Sequence, residues 1–153
     1  MITNKNKLLE LNNVLNQFKT TGNAKFKYAF EKNIRYLKSE IDKINIEIEE
    51  INNIIKDFSE ERNEIIKKYG TKKDELISID SDSDNYEIAT TELNKLSEKY
   101  KEQLDLYNSE LSKYQESLND KVTIDIKFHE ILLENIPDEF NHDSILMDFE
   151  ILN

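Results

Sequence analysis

Asp80, Asp82 and Asp84 stand at alternate positions of a polar tract, Asp80-Ser81-Asp82-Ser83-Asp84-Asn85, and match the first three ligand positions of a calcium loop. In such a loop alternate carboxylates converge on one cation. The rest of the loop is missing, because Asn85 stands where the sharp turn wants Gly and Thr91 stands where a bidentate Glu is required. A solvated acidic turn is the plainer reading, and no metal or other cofactor is expected. The two histidines, His129 and His142, have carboxylates nearby but no His-x-x-x-His or His-Glu-x-x-His spacing, and there is no Gly-rich phosphate loop and no nucleophile elbow. No catalytic residue is assigned, and the chain reads as non-enzymatic. Two charged groups remain. Lys25, Tyr28, Lys32, Arg35, Tyr36 and Lys38 bring together cations that could hold a phosphate and rings that could stack on a base. Their plainer reading is a solvated helix face, or pairing with acids further along the chain. Glu130, Glu134, Asp138 and Glu139 form an acidic run suited to docking on a basic protein surface, where complementary charge speeds and orients encounter.

These groups sit in a chain whose charge is unevenly spread. The net charge is −11, yet residues 1–38 carry eight basic side chains against Glu10 and Glu31, a local +6 that leaves −17 for the remainder. After Lys127 there is no Lys or Arg. General nucleic-acid binding is therefore not expected, since affinity for phosphate backbones comes from Lys and Arg displacing counterions. The absence of Cys excludes disulfides, thiol nucleophiles and cysteine-based metal sites, and fits a reducing compartment. The polar stretch Met1 to Lys7 does not resemble a signal peptide, and no run approaches the roughly 18 apolar residues of a membrane span, so a soluble protein is expected.

The elements that must position these residues are mainly helices. There are only two Gly and one Pro in 153 residues, which leaves long helix-compatible stretches. From Phe30, the positions Ile34, Leu37, Ile41, Ile44, Ile48, Ile51, Ile55, Phe58, Arg62, Ile65 and Tyr69 follow a four-three spacing, broken in character only by Arg62, which reads as a register marker or a snorkelling residue. This predicts one long helix over 23–69, roughly 70 Å at helical rise, ended by Gly70 in a left-handed cap. A second helix over 90–118 places Leu93, Tyr100, Leu104, Tyr107, Leu111, Tyr114 and Leu118 on one face, with Ser97 in the missing heptad position. The reading is a long antiparallel coiled-coil helical hairpin with a tip connection over 70–89, within a single elongated domain of residues 1–153. Parallel self-association would bury the same seam, so a homo-oligomer stays open. A helix over 5–19 would fold back onto Phe26, Phe30, Ile34 and Leu37. A C-terminal strand-plus-helix region over 121–153 begins with the alternation Val122, Ile124, Ile126, Phe128, and ends in a short helix that the run His142-Asp143-Ser144 could cap. The strand's partner is open among Ile131 to Ile136, a second copy, or an edge of the target.

The segments Tyr28-Ala29-Phe30-Glu31-Lys32-Asn33-Ile34-Arg35-Tyr36-Leu37 and Glu60-Glu61-Arg62-Asn63-Glu64-Ile65-Ile66-Lys67-Lys68-Tyr69-Gly70, with the strand Val122 to Phe128, resemble a family of small phage and prophage proteins of low-GC bacteria, domain of unknown function 1617. That resemblance implies viral origin and transfers no functional residue. It raises the expectation of a protein acting in the host cytoplasm, as an inhibitor of a host protein with a basic surface or as an accessory of virion or tail assembly. The reading from another class is a small-ligand binder that sequesters a nucleotide signal through Lys25 to Lys38.

Overall fold

Helix-compatible sequence with few breakers folds as expected into a mainly helical chain. The computed structural model describes residues 1–73 and 75–152. In order, the elements are β1 (Ile2–Asn4), α1 (Lys5–Phe18), α2 (Ala24–Asn53), α3 (Lys56–Tyr69), β2 (Thr71–Lys73), β3 (Leu76–Ser78), α4 (Tyr86–Lys99), α5 (Lys101–Ser117), β4 (Lys121–Thr123), a 3₁₀ turn (Leu133–Asn135) and α6 (Asp143–Asp148). The chain forms two compact units, one of Met1–Glu47 with Tyr114–Asn153, the other of Ile48–Lys113.

The first unit holds nearly all of the core. Helix α1 starts where Asn4 Oδ1 accepts from the Lys7 backbone N–H, at 2.9 Å, and buries Leu8, Leu11, Val14 and Leu15. The chain then turns back through Gly22, whose φ of 70° is left-handed, and a Cβ there would lie 2.8 Å from Pro137 Cγ. Asn23 Oδ1 caps the next helix by accepting from Phe26 N–H at 3.0 Å. Helix α2 buries Phe26, Ala29, Phe30, Leu37, Ile41 and Ile44. The expected cover by α1 is made, and the C-terminal residues Ile124, Phe128, Ile131, Phe140, Ile145, Leu146, Phe149 and Ile151 share the same apolar cluster with these side chains. Phe140 presents its ring edge-on to Phe18, Phe26 and Phe30 at centroid distances of 5.1, 5.6 and 5.8 Å, a geometry that aligns positive ring edges with negative faces. Helix α6 follows His142 without a side-chain cap bond, so the capping expected of His142-Asp143-Ser144 is not made.

The expected strand is real but short. Lys121–Thr123 runs antiparallel to Ile2–Asn4 in the register Ile2↔Thr123, Thr3↔Val122 and Asn4↔Lys121, and Ile124 extends the pairing by exchanging hydrogen bonds with Met1 at 2.9 and 3.0 Å. The partner is therefore none of the three that the sequence suggested. Beyond Thr123 the alternation persists in burial, with Ile124 and Phe128 buried and Asp125 and Lys127 exposed, because one side of an extended chain still faces the core.

In the second unit the long helix expected over 23–69 is divided. Ile54 and Ile55 bond back three residues, to Ile51 and Asn52 carbonyls at 3.1 and 3.3 Å, and α3 begins after them. Asn52 and Asn53 compete for backbone groups and two β-branched side chains follow, which weakens an α-helical turn here. The seam continues on both sides, with Ile51, Ile55, Phe58, Ile65 and Tyr69 half-buried and Arg62 exposed. The helix expected over 90–118 starts earlier, at Tyr86, and is divided at Tyr100. Leu96 is buried and Ser97 exposed, so the seam runs Ala89, Leu93, Leu96, Tyr100, Leu104 and takes two successive four-residue steps where the break occurs. Gly70 is not left-handed: its φ of −84° and ψ of 158° are extended. What it requires is close approach, because a Cβ would lie 2.5 Å from Ile66 O and 2.6 Å from Ile77 Cγ2. β2 and β3 pair antiparallel, Thr71↔Ser78 and Lys72↔Ile77.

Helices α3 and α4 run antiparallel, joined by two matching sets of contacts. Tyr69 donates its hydroxyl to Glu92 at 2.7 Å while Lys68 lies 3.5 Å from the same carboxylate. Tyr100 donates to Glu61 at 2.7 Å while Lys99 pairs with it at 2.7 Å. Each lysine also covers its neighbouring tyrosine ring, at 4.6 Å for Lys68 and 4.9 Å for Lys99. The cause is an internal similarity, Glu61-Arg62-Asn63-Glu64-Ile65-Ile66-Lys67-Lys68-Tyr69 against Glu92-Leu93-Asn94-Lys95-Leu96-Ser97-Glu98-Lys99-Tyr100. When both helices carry the same pattern and run antiparallel, each contact is returned by its counterpart, as in an isologous interface.

Candidate functional site

The first turns of α2 present the basic and aromatic set on their exposed side. Lys32 lies between two tyrosines, 5.5 Å from the Tyr28 ring centroid and 5.9 Å from that of Tyr36. Partial desolvation is the largest influence on its ammonium and pulls its pKa down, but the Tyr28 and Tyr36 phenols together outweigh it and leave the pKa raised above 10.5. Tyr28, Glu31, Lys32, Arg35 and Tyr36 enclose a small cleft of about 200 Å³. Two of the cations are engaged on their own helix, Arg35 with Glu31 at 3.7 Å and Lys38 with Asp42 at 2.6 Å. Both pairs are exposed, the kind of contact a solvated helix face makes.

A larger groove lies beside it. The extended chain around His129 is fastened to α2 by Asn33, which is fully buried. Its amide donates to His129 O at 3.0 Å and accepts from His129 N–H at 2.7 Å, so one side chain satisfies both backbone groups. Tyr28 stands edge-on to the His129 ring at 5.6 Å. Between these walls Ala24, Lys25, Tyr28 and Ala29 of α2 face His129, Glu130, Ile131, Leu132 and Asn135 across a cavity of about 430 Å³. Ala29 and Ile131 are buried and form its base, whereas Tyr28, Leu132 and Leu133 are 58%, 50% and 63% exposed. Small Ala side chains at the start of α2 leave the space that a larger residue would fill.

The acidic run lines and follows this groove. Glu130 is one of its lining residues, and Glu134 lies in the 3₁₀ turn between Leu133 and Asn135. Asp138 and Glu139 come directly after Pro137. Glu134, Asp138 and Glu139 are exposed and form no ion pair among the described residues. The groove thus joins residues that the sequence reading held apart, Lys25 and Tyr28 from the basic set with Glu130 from the acidic one. It also adds Ala24, a small residue at the start of α2, and Leu132 and Asn135, which carried no signal because the stretch 129–136 has no period that would mark which apolar side chains stay outside.

The remaining candidates lie elsewhere. Asp80, Asp82 and Asp84 occupy a tight turn in which Ser83 N–H bonds to Asp80 O at 3.1 Å and Tyr86 N–H to Ser83 O at 3.0 Å. Among the described residues no three His, Cys, Asp or Glu side chains gather where a metal ion could be held. His142 packs its ring against Phe18 and Phe140 at 5.3 and 5.7 Å, a core-edge role apart from the groove. Among the described residues no helix is long and apolar enough to cross a membrane.

No family model, no curated protein and no solved structure matches this chain.

Proposed function

We propose that this chain is a non-enzymatic interaction protein of viral origin that binds and inhibits a host protein in the host cytoplasm through the acidic surface at Glu130, Glu134, Asp138 and Glu139. The observation that carries the reading is the pairing of exposed carboxylates at Glu134, Asp138 and Glu139, which form no ion pair among the described residues, with exposed Leu132 and Leu133 beside an open groove. Charged groups that the fold itself does not use, next to apolar surface that it does not cover, are what a partner with a basic face would engage. The long antiparallel coiled-coil hairpin belongs to the same proposal, supported by the antiparallel pairing of α3 and α4. The test is capture from host lysate with wild-type protein and with a Glu134→Lys/Asp138→Lys/Glu139→Lys variant. A stoichiometric protein retained by the first at low salt, lost at high salt and lost by the second is the expected result.

The tyrosine-flanked Lys32 favours a second reading, a site for a nucleotide or similar anion at the cleft of Tyr28, Lys32, Arg35 and Tyr36. A nucleotide that accompanies the purified protein and is lost in Lys32→Ala/Arg35→Ala, with no protein partner captured, would replace the first reading by this one.

A further inference from the structure

We propose that the groove between the start of α2 and residues 129–135 takes a basic amphipathic helix of the partner protein, with its apolar side chains between Tyr28 and Leu132 and its Lys or Arg side chains toward Glu134. The inference rests on the acidic-surface reading above and specifies what that surface receives. The cavity of about 430 Å³ has the size of a binding pocket, and its walls and base are apolar at Ala24, Tyr28, Ala29, Ile131 and Leu132. The exposed carboxylate of Glu134 on the 129–135 side, with Asp138 and Glu139 just beyond Pro137, favours a cation-bearing occupant, and the one Lys of the lining, Lys25, stands on the α2 side. Strand addition is disfavoured because the backbone here is already committed: His129 N–H and C=O are held by Asn33, Ile131 N–H bonds to Ile151 O at 2.6 Å, and Leu132 O accepts from Asn135 N–H at 2.9 Å. A helix needs no such edge and offers anchors at three- and four-residue spacing.

The probes are three labelled peptides: a Leu/Lys amphipathic helix, its scramble of equal composition, and the same helix with Glu for Lys. Binding is followed by anisotropy, and chemical-shift changes locate it on the full chain. The registered basic helix is expected to bind at least tenfold tighter than the other two, to shift the amides of Ala24, Tyr28 and Leu132, and to weaken tenfold or more in Ala24→Phe and in Leu132→Asp. Both substituted positions are exposed, and unchanged circular dichroism verifies folding. Equal binding of the scramble, or indifference to both groove variants while Glu134→Lys/Asp138→Lys/Glu139→Lys abolishes binding, overturns the groove and leaves the acidic-surface reading standing. Loss in the groove variants with indifference to the charge reversals overturns the acidic-surface reading instead. No binding by any peptide, or a dimer of this chain that Ala24→Phe dissociates, overturns the helix assignment.

Discussion

Asn33 illustrates how one buried polar side chain can hold a functional surface in place. Its amide ties α2 to the His129 backbone and uses both a donor and an acceptor. Asn33→Ala leaves a backbone N–H and C=O without partners in a partly buried setting, at a cost of about 2–3 kcal/mol by urea unfolding. Asn33→Asp keeps the acceptor and loses the donor, so its loss should be comparable at neutral pH and smaller where the carboxyl is protonated. An Asn33→Ala protein of wild-type stability would mean that the clamp contributes nothing. Gly70→Ala tests a different residue-scale point. The left-handed cap read from sequence would predict strain from φ, whereas the extended conformation predicts a clash with Ile66 O and Ile77. Destabilisation of about 1–3 kcal/mol, relieved in part by Ile77→Ala, supports the second cause.

At the scale of elements, the reciprocal contacts of α3 and α4 make the pair sensitive to acid. Glu61 has its pKa lowered below 4.5 by the Lys99 hydrogen bond first and that of Tyr100 next, and Glu92 by Tyr69 first and Lys68 after desolvation has opposed them. A carboxylate with a depressed folded pKa stabilises the fold above its unfolded value and loses that contribution as pH falls through the folded one. Lys68, Lys99 and Tyr100 are raised, Lys68 chiefly by its bond to Tyr69 and the other two chiefly by Glu61, so their contribution holds until pH rises past about 10. Helicity of α3 and α4 should therefore be constant between pH 5 and 9 and decline below 4.5, and Glu61→Gln/Glu92→Gln should flatten that decline while Glu60→Gln leaves it unchanged. The helices themselves were legible in the sequence because a four-three spacing is a long, local and redundant signal. Their breaks were less so: Ser97 fitted the heptad arithmetic, but Leu96 is the larger apolar side chain and takes the buried place, which forces the extra step at Tyr100. β1 left no trace, since Ile2-Thr3-Asn4 is three residues long and its partner lies about 120 positions away. Of the site, the acidic run and the basic set were visible as residue types, whereas the groove that brings Tyr28 beside Leu132 depends on the chain returning to α2 through Asn33, which no local pattern encodes.

At the scale of the whole molecule the most consequential feature is the uneven distribution of buried apolar surface. Among the described residues every buried hydrophobic side chain except Ala89 and Leu96 belongs to the unit of Met1–Glu47 and Tyr114–Asn153. The unit of Ile48–Lys113 depends instead on half-buried seam residues and on half-buried Tyr–Glu contacts flanked by exposed Lys68 and Lys99, whose ion pairs water can replace at small cost. Local stability follows burial, so the two units should open with different free energies. In native-state hydrogen exchange, amides at Leu11, Leu15, Phe30 and Leu37 are expected to exchange only through the largest opening, whose free energy falls steeply with denaturant. Amides at Ile65, Leu96 and Tyr100 should exchange through a smaller opening with a shallower denaturant dependence, and should lose protection first as pH falls below 4.5. A common free energy and a common slope for all of them would mean that the chain unfolds as one cooperative body and that the half-buried seam contributes as much as the core. The expected outcome places the candidate groove, with Asn33, Tyr28 and Leu132, in the more stable unit, which is where a preformed binding surface has to be if docking is not to pay for its ordering.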